Sequence, residues 1–116
     1  MPSTPRTSLL NARDAVLAIQ SSLSALDAGS YVSNPNVQAG VTQQFDHIGN
    51  ALTSLSGQDA ALALRIRDVQ QILAFRSHLM HANASVHADM VWNVCHNALP
   101  ILLDDIQSLL DELPAS

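Results

Sequence analysis

The sequence predicts an all-α fold, an antiparallel four-helix bundle within a single domain. Hydrophobic residues make up 47% of the chain and aromatic residues only 3%, so the core must consist of Leu, Ala, Ile and Val, a mixture that favours helices. Four glycines and five prolines leave few tight turns, which argues against an all-β fold. Apolar residues recur every three or four positions along most of the chain, as in amphipathic helices.

The first half of the chain predicts two helices. Residues 1–6 are expected to form a disordered tail, and helix one to start at Thr7 or Ser8, either of which can cap it. Its inward stripe consists of Val16, Ile19, Leu23 and Leu26. Gly29 and the residues up to Pro35 should end this helix.

Helix two is predicted from Asn36 to Leu55 and has the most regular apolar stripe. The stripe consists of Val37, Val41, Phe45, Ile48, Leu52 and Leu55. Gly49 in its middle costs about 1 kcal/mol relative to alanine, and a close approach by a neighbouring helix would explain it.

The second half predicts two long helices separated by a connection at residues 81–86. Helix three should run from Gln58 or Asp59 to Met80, and helix four from His87 to Leu113. Pro100 should kink helix four, because proline removes a backbone donor and clashes with the preceding turn. The apolar face of helix four is wide enough to suggest contact with a second subunit.

Composition and charge restrict the classes of function. The net charge is −5 and the chain has no lysine, which argues against broad, non-specific binding of nucleic acid. No apolar run reaches the roughly 20 residues of a membrane span, and no signal peptide is recognisable. The sequence therefore predicts a cytoplasmic protein without membrane contact. The single cysteine, Cys95, excludes an intrachain disulfide and is expected to belong to the core.

Histidines are the main candidates for chemistry. A metal site would have to use His78, His81 and His87, yet the expected zinc partners are missing from the sequence, which has one remote cysteine and no H-E-x-x-H pattern. Neither a metal nor another cofactor is therefore predicted. His47 and His96 lie beside apolar stripes and are expected to be structural.

Arg76 and His81 form an R-x-x-x-x-H pattern near a predicted helix end. Its chemistry suits RNA cleavage, in which the 2′-hydroxyl attacks the adjacent phosphorus. Histidine can move protons near neutral pH, and arginine can stabilise the charge that develops on the phosphate. Positions five apart on a helix are separated by about 140°. Arg76 and His81 can therefore converge only if the helix ends between them or if two copies meet across a dimer axis.

The surroundings of this motif resemble those of HepT-like HEPN proteins. Residues 75–81, Phe-Arg-Ser-His-Leu-Met-His, resemble the family's M-R-N-x-x-x-H signature, and residues 44–51, Gln-Phe-Asp-His-Ile-Gly-Asn-Ala, resemble its L-E-x-I-G-E-A helix. Val86, Val91-Trp92 and Leu99-Pro100 follow where the family has Val-Asp, Val-Trp and Asp-Leu-Pro. The resemblance extends over residues 9–113.

The resemblance implies a metal-independent ribonuclease toxin that forms a homodimer and is paired with a minimal nucleotidyltransferase antitoxin. Arg76 would then contact the scissile phosphate of RNA and His81 would be the acid/base residue. Polar residues near the site would be Ser77, His78 and Asn83.

Two departures from the family pattern leave other interpretations open. Ser77 replaces the family's Asn, and Asn83 replaces the tyrosine that the partner adenylylates, so that modification is not expected here. One alternative is a non-catalytic HEPN module that binds a nucleotidyltransferase partner or its substrate. Another is a purely structural helical bundle.

Overall fold

The chain folds into helices joined by short connections. The computed structural model describes residues 4–81 and 88–113, with side chains except at Met80 and His81. Every element within these ranges is a helix, which confirms the predicted all-α class. The helices are α1 (Pro5–Leu23), α2 (Ala28–Val32), α3 (Pro35–Gln58), α4 (Ala60–Ala63), α5 (Val69–His81), α6 (Ala88–Asn97) and α7 (Leu99–Glu112).

Helices α1 and α3 form the centre of the bundle. They pack against each other along most of their length, α7 packs on α1, and α5 packs on α3. The predicted stripes supply the enclosed side chains, including Ile19 from α1, Phe45 and Ile48 from α3, and Ile106 from α7. Burying an aliphatic or aromatic side chain contributes about 1.5–3 kcal/mol, so this shared apolar core is the main source of stability.

Helix α1 begins two residues before the predicted start. The side-chain oxygen of Thr4 accepts a hydrogen bond from the backbone N–H of Thr7 at 3.1 Å, and Pro5 occupies the first helical position. Proline fits there because that backbone position has no N–H partner within the helix. The predicted tail therefore overlaps the helix at Pro5 and Arg6, whereas residues 1–3 lie outside the described residues.

The expected connection between the first two long helices contains a helix of its own. Asp27 caps α2 by accepting a hydrogen bond from the backbone N–H of Ser30 at 2.7 Å. Asn34 then caps α3 in the same way, through the backbone N–H of Val37 at 3.2 Å. Short polar residues thus start a new helix twice within eight positions.

Predicted helix three is not continuous. It divides into α4 and α5, and residues 64–68 between them are not helical. The backbone N–H of Arg67 donates to the Asp105 carboxylate in α7 at 2.8 Å instead of to a helical carbonyl. Asp68 has a φ of 59°, a left-handed conformation that aspartate tolerates better than most residues. Contacts with α7 therefore override a local pattern that favours a helix.

Predicted helix four is interrupted at Ala98, two residues before Pro100, and forms α6 and α7. Ala98 and Leu102 still make helical hydrogen bonds across the interruption, at 2.8 and 3.0 Å. Pro100 has no backbone N–H, so the ladder loses one bond at this point. The predicted connection at residues 81–86 overlaps α5 at His81, and residues 82–86 lie outside the described residues.

Candidate functional site

The R-x-x-x-x-H motif lies on α5, where that helix packs against α3. Phe75 contacts Phe45 of α3 edge to face, with ring centroids 5.3 Å apart. An aromatic pair of this geometry contributes about 0.5–1.5 kcal/mol beyond the area it buries. This contact sets the register of α5 on α3 and brings the next residue, Arg76, over Gly49.

The Arg76 side chain crosses α3 at Gly49. A Cβ atom built on Gly49 would lie 2.7 Å from both Cδ and Nε of Arg76 and 2.9 Å from its Cγ. These distances are shorter than the roughly 3.5–4.0 Å of ordinary carbon contacts. A Cβ at this position would therefore force the Arg76 side chain to move, and the close approach predicted from sequence is that of a side chain rather than of a helix backbone.

Two side chains on either side of Gly49 hold the Arg76 guanidinium. Its Nη2 donates to Oδ1 of Asp46 at 2.7 Å and to Oδ1 of Asn50 at 2.9 Å. Asp46 and Asn50 are four positions apart and so lie on the same side of α3. Nε of Arg76 is buried and has no hydrogen-bond partner among the described residues. The guanidinium is thus oriented by one acid and one amide.

Comparisons of this chain with models of protein families, with curated proteins and with solved structures find no match.

Of the other predicted site residues, the structure describes the side chains of two. Ser77 and His78 are exposed on α5. His81 is the last described residue of that helix, and its side chain lies outside the described part of the structure. Asn83 and His87 also lie outside it. Among the described residues, no group of three or more His, Cys, Asp or Glu side chains could hold a metal ion.

The course of α5 restricts how Arg76 and His81 can cooperate. The helix continues through His81, so it does not end between the two residues. A helix end therefore cannot bring Arg76 and His81 together within one chain. On a continuous helix Arg76 is about 140° from His81 and about 160° from His78, whereas His78 and His81 are only about 60° apart. A site that uses both Arg76 and His81 therefore needs a second copy of the chain.

Most of the chain's positive charge is already paired with carboxylates. Four of the five arginines form ion pairs with acidic residues within the described ranges. Arg65 contacts Glu112 through two hydrogen bonds of 2.7 and 2.6 Å, and these bonds lower the pKa of that carboxyl. Arg67 likewise binds Asp105, the carboxyl of which is partly buried. Burial raises the pKa of Asp105, but hydrogen bonds from the Arg67 side chain and backbone outweigh burial, so the pKa is lowered overall.

Asp46 and Asn50 are the functional candidates that motif reasoning missed. They are 30 and 26 positions from Arg76, so no local pattern links them to it. The available signal was the mid-helix Gly49, since a glycine inside a helical pattern can mark a close packing contact. Asn50 also lines a polar groove of about 560 Å³ between α1 and α3, together with the exposed His47.

Two of the remaining reactive groups, Cys95 and Tyr31, are buried in the core, and His96 is exposed beside it. Burial raises the pKa of the Cys95 thiol to about 12, so the thiolate needed for nucleophilic or redox chemistry does not form near neutral pH. Burial also raises the pKa of Tyr31 to about 12, with a smaller contribution from Cys95. His96 stacks on Trp92 at 4.1 Å, and its Nδ1 lies 2.8 Å from the Trp92 carbonyl oxygen.

Proposed function

We propose that this protein is a divergent HepT-like HEPN ribonuclease: a metal-independent endoribonuclease toxin that acts as a homodimer in the cytoplasm. In this proposal the helices form the antiparallel four-helix bundle of that family, and the partner is a minimal nucleotidyltransferase antitoxin. The observation that carries the proposal is the built environment of Arg76. Its side chain is accommodated by a glycine and oriented by Asp46 and Asn50, which is more organisation than a surface arginine requires.

The proposed reaction needs no group beyond those in the chain and its substrate. The 2′-oxygen of RNA attacks the adjacent phosphorus, the bond to the 5′-oxygen breaks, and a cyclic phosphate forms. The His81 of one subunit takes the proton of the 2′-hydroxyl and then delivers it to the leaving 5′-oxygen. Arg76 donates hydrogen bonds to the non-bridging oxygens, which carry the extra negative charge in the transition state.

The dimer is an essential part of the proposal. Because α5 is continuous through His81, a composite site from two chains is the arrangement that can bring Arg76 and His81 onto one phosphate. Each site would combine the arginine of one chain with the histidine of the other.

Asp46 has a specific role in this proposal. Its carboxylate occupies Nη2 of Arg76 at 2.7 Å, and a phosphate would compete with it for the guanidinium. Asp46 would therefore orient Arg76 and also weaken its hold on RNA. Asp46→Asn keeps the shape of the side chain and removes the charge, so it should strengthen RNA binding.

The decisive experiment is cleavage of total RNA by purified protein in EDTA, compared with Arg76→Ala, His81→Ala and a mixture of the two variants refolded together. Each variant alone should be inactive. A mixed dimer contains one site with an intact arginine and an intact histidine, so the mixture should regain up to about half the activity per mixed dimer. Activity that disappears in EDTA, or that survives in His81→Ala, would contradict the proposal.

A second candidate function is a non-catalytic HEPN module that binds a nucleotidyltransferase or its substrate. The pairing of arginines with the chain's own acids favours it, because little positive charge remains to attract RNA. Tyr31, the only tyrosine, is 1% exposed, so it cannot replace the tyrosine that such a partner modifies. If neither the wild type nor Asp46→Asn binds or cleaves RNA, this second function is favoured.

Expression in a bacterial host separates the two functions independently of the purified protein. An active toxin should slow growth, and His81→Ala should relieve that effect while the protein accumulates to the same level. A scaffold should leave growth unchanged with either version.

A further inference from the structure

A second groove lies between α6, the start of α7 and the connection that precedes α5. Its lining residues all belong to the second half of the chain. Its volume is about 520 Å³, and we call it the α6–α7 groove. Its lining includes Asp68, Asp89, Met90, Val94, Ala98 and Ile101. Met90 is 46% exposed and Ile101 is 38% exposed, so large apolar side chains are in contact with water here.

Carboxylates flank the apolar part of this groove. Asp68 lies on the connection between α4 and α5 in a left-handed backbone conformation, and Asp89 lies in the first turn of α6. Neither forms an ion pair with any residue in the described ranges, whereas the neighbouring Arg67 pairs with Asp104 and Asp105 of α7. The groove therefore combines exposed apolar side chains with two carboxylates that form no ion pair among the described residues, although Asp68 also interacts electrostatically with the adjacent Arg67.

The charge of the groove indicates what can occupy it. A nucleic acid would be repelled by Asp68 and Asp89. A second copy of this chain is a poor match, because it contains no lysine and four of its five arginines pair with its own carboxylates. A segment of a different protein, with lysine or arginine beside apolar side chains, would complement both features.

We propose that the α6–α7 groove docks a basic amphipathic helix of another protein. The ten residues of α6 are about 15 Å long, so about three turns of a bound helix would lie along it. Its apolar side chains would cover Met90 and Ile101, and its basic side chains would pair with Asp68 and Asp89. This inference is independent of the ribonuclease proposal, because it uses none of the residues around Arg76.

The test uses the full chain labelled with ¹⁵N and two synthetic probes, a 14-residue amphipathic peptide of leucine and lysine and its leucine–glutamate counterpart. The lysine peptide should shift amide resonances around the α6–α7 groove, and the glutamate peptide should not bind. Asp68→Asn with Asp89→Asn should weaken binding about three- to tenfold, since two exposed ion pairs are lost. Ile101→Ser should weaken it by a similar factor.

Matched substitutions outside the groove control for the general attraction of a cationic peptide to an acidic protein. Asp111→Asn removes the same charge about 15 Å further along α7, and Leu17→Ser removes an apolar side chain on α1 that is 43% exposed. Both should leave binding unchanged. All five substituted positions are exposed, so circular dichroism should show the same helix content in every variant.

Several results would overturn the inference. Shifts spread over the whole acidic surface, with equal losses for Asp111→Asn and Asp89→Asn, would show non-specific attraction. Binding of neither peptide, or of both equally, would also contradict it. Concentration-dependent shifts in the groove without any peptide would identify a second copy of the chain as the occupant.

Discussion

Replacing Gly49 with alanine should destabilise this protein, although alanine is the better helix former. In the interior of a helix the substitution contributes about 1 kcal/mol of stability on its own. At this position the new Cβ would lie 2.7 Å from Cδ and Nε of Arg76, almost 1 Å inside ordinary contact. Because these atoms belong to the middle of the side chain, the whole Arg76 side chain must move away.

The size of the effect follows from what Arg76 loses. Its hydrogen bonds to Asp46 and Asn50 would break, and bonds of this charged type contribute about 1.5–3 kcal/mol in favourable settings. The Arg76 and Asp46 side chains are 29% and 36% exposed, so we take about 2 kcal/mol for the two bonds together. Loss of packing by the aliphatic part of Arg76 adds about 1 kcal/mol. After the helix-propensity gain, the expected net loss is about 1–2 kcal/mol.

Urea unfolding followed by circular dichroism measures this difference, provided that the slope of the free energy against urea is unchanged. Gly40→Ala in the same helix is the matched control. Beyond its own helix turn, a Cβ at Gly40 would have no atom of the described residues within 4 Å, so this substitution should stabilise by about 0.5–1 kcal/mol.

The same substitution in an Arg76→Ala background isolates the contact. There Gly49→Ala should become stabilising, by about as much as Gly40→Ala, which gives a coupling of about 1.5–3 kcal/mol between positions 49 and 76. If Gly49→Ala stabilises the wild type as much as Gly40→Ala does, Arg76 does not cross α3 at this glycine and the reasoning fails.

Three further predictions concern individual groups. The Cys95 thiol, with its pKa raised to about 12, should stay unreactive to a disulfide reagent at pH 8 until the protein is unfolded in guanidinium, and complete labelling of the native protein within minutes would contradict this. The pKa values of Asp105 and Glu112 are lowered in the folded state, so their contribution to stability is present above the ordinary carboxyl pKa of about 4 and is lost as the pH falls through the lowered values. The urea concentration at the midpoint of unfolding should therefore decrease as the pH is lowered below about 4, and it should decrease less steeply for Asp105→Asn. Equal slopes of the midpoint against pH would show that this carboxyl is not linked to folding. Arg76→Lys keeps the charge but not the planar set of donors, so RNA cleavage should fall at least about tenfold, and cleavage equal to the wild type would argue against a phosphate contact.

The sequence was most informative where structure depends on neighbours three or four positions away. The stripes of α1 and α3 lie in the core as their spacing predicts, because helical periodicity is a local property of the chain. Residues such as Phe45 and Ile48 are fully enclosed. Cap residues were also readable in principle. Thr4 before Pro5 and Asn34 before Pro35 both follow the helix-start pattern. Thr4, however, belongs to the segment that was expected to be disordered, which is why the start of α1 was predicted too late.

The sequence was least informative where distant residues compete with local preference. The apolar spacing of residues 62–73 is that of a helix, yet Arg67 binds Asp105, which is 38 positions away, and the helix breaks. The R-x-x-x-x-H motif could be found from its residue types and their spacing. Its partners Asp46 and Asn50 could not, because they belong to a helix 26–30 positions earlier.

By itself, the sequence determined the all-α class, the long helices α1 and α3, the aliphatic core and the positions of Arg76 and His81 along the chain. The tertiary structure alone decided that residues 64–68 leave the helix, that Gly49 makes room for an arginine and that an acid and an amide orient it. The physical reason is the range of the interactions. Helix propensity and apolar periodicity act over one or two turns, whereas ion pairs and close side-chain crossings depend on which helices meet, and only packing of the whole core selects those neighbours.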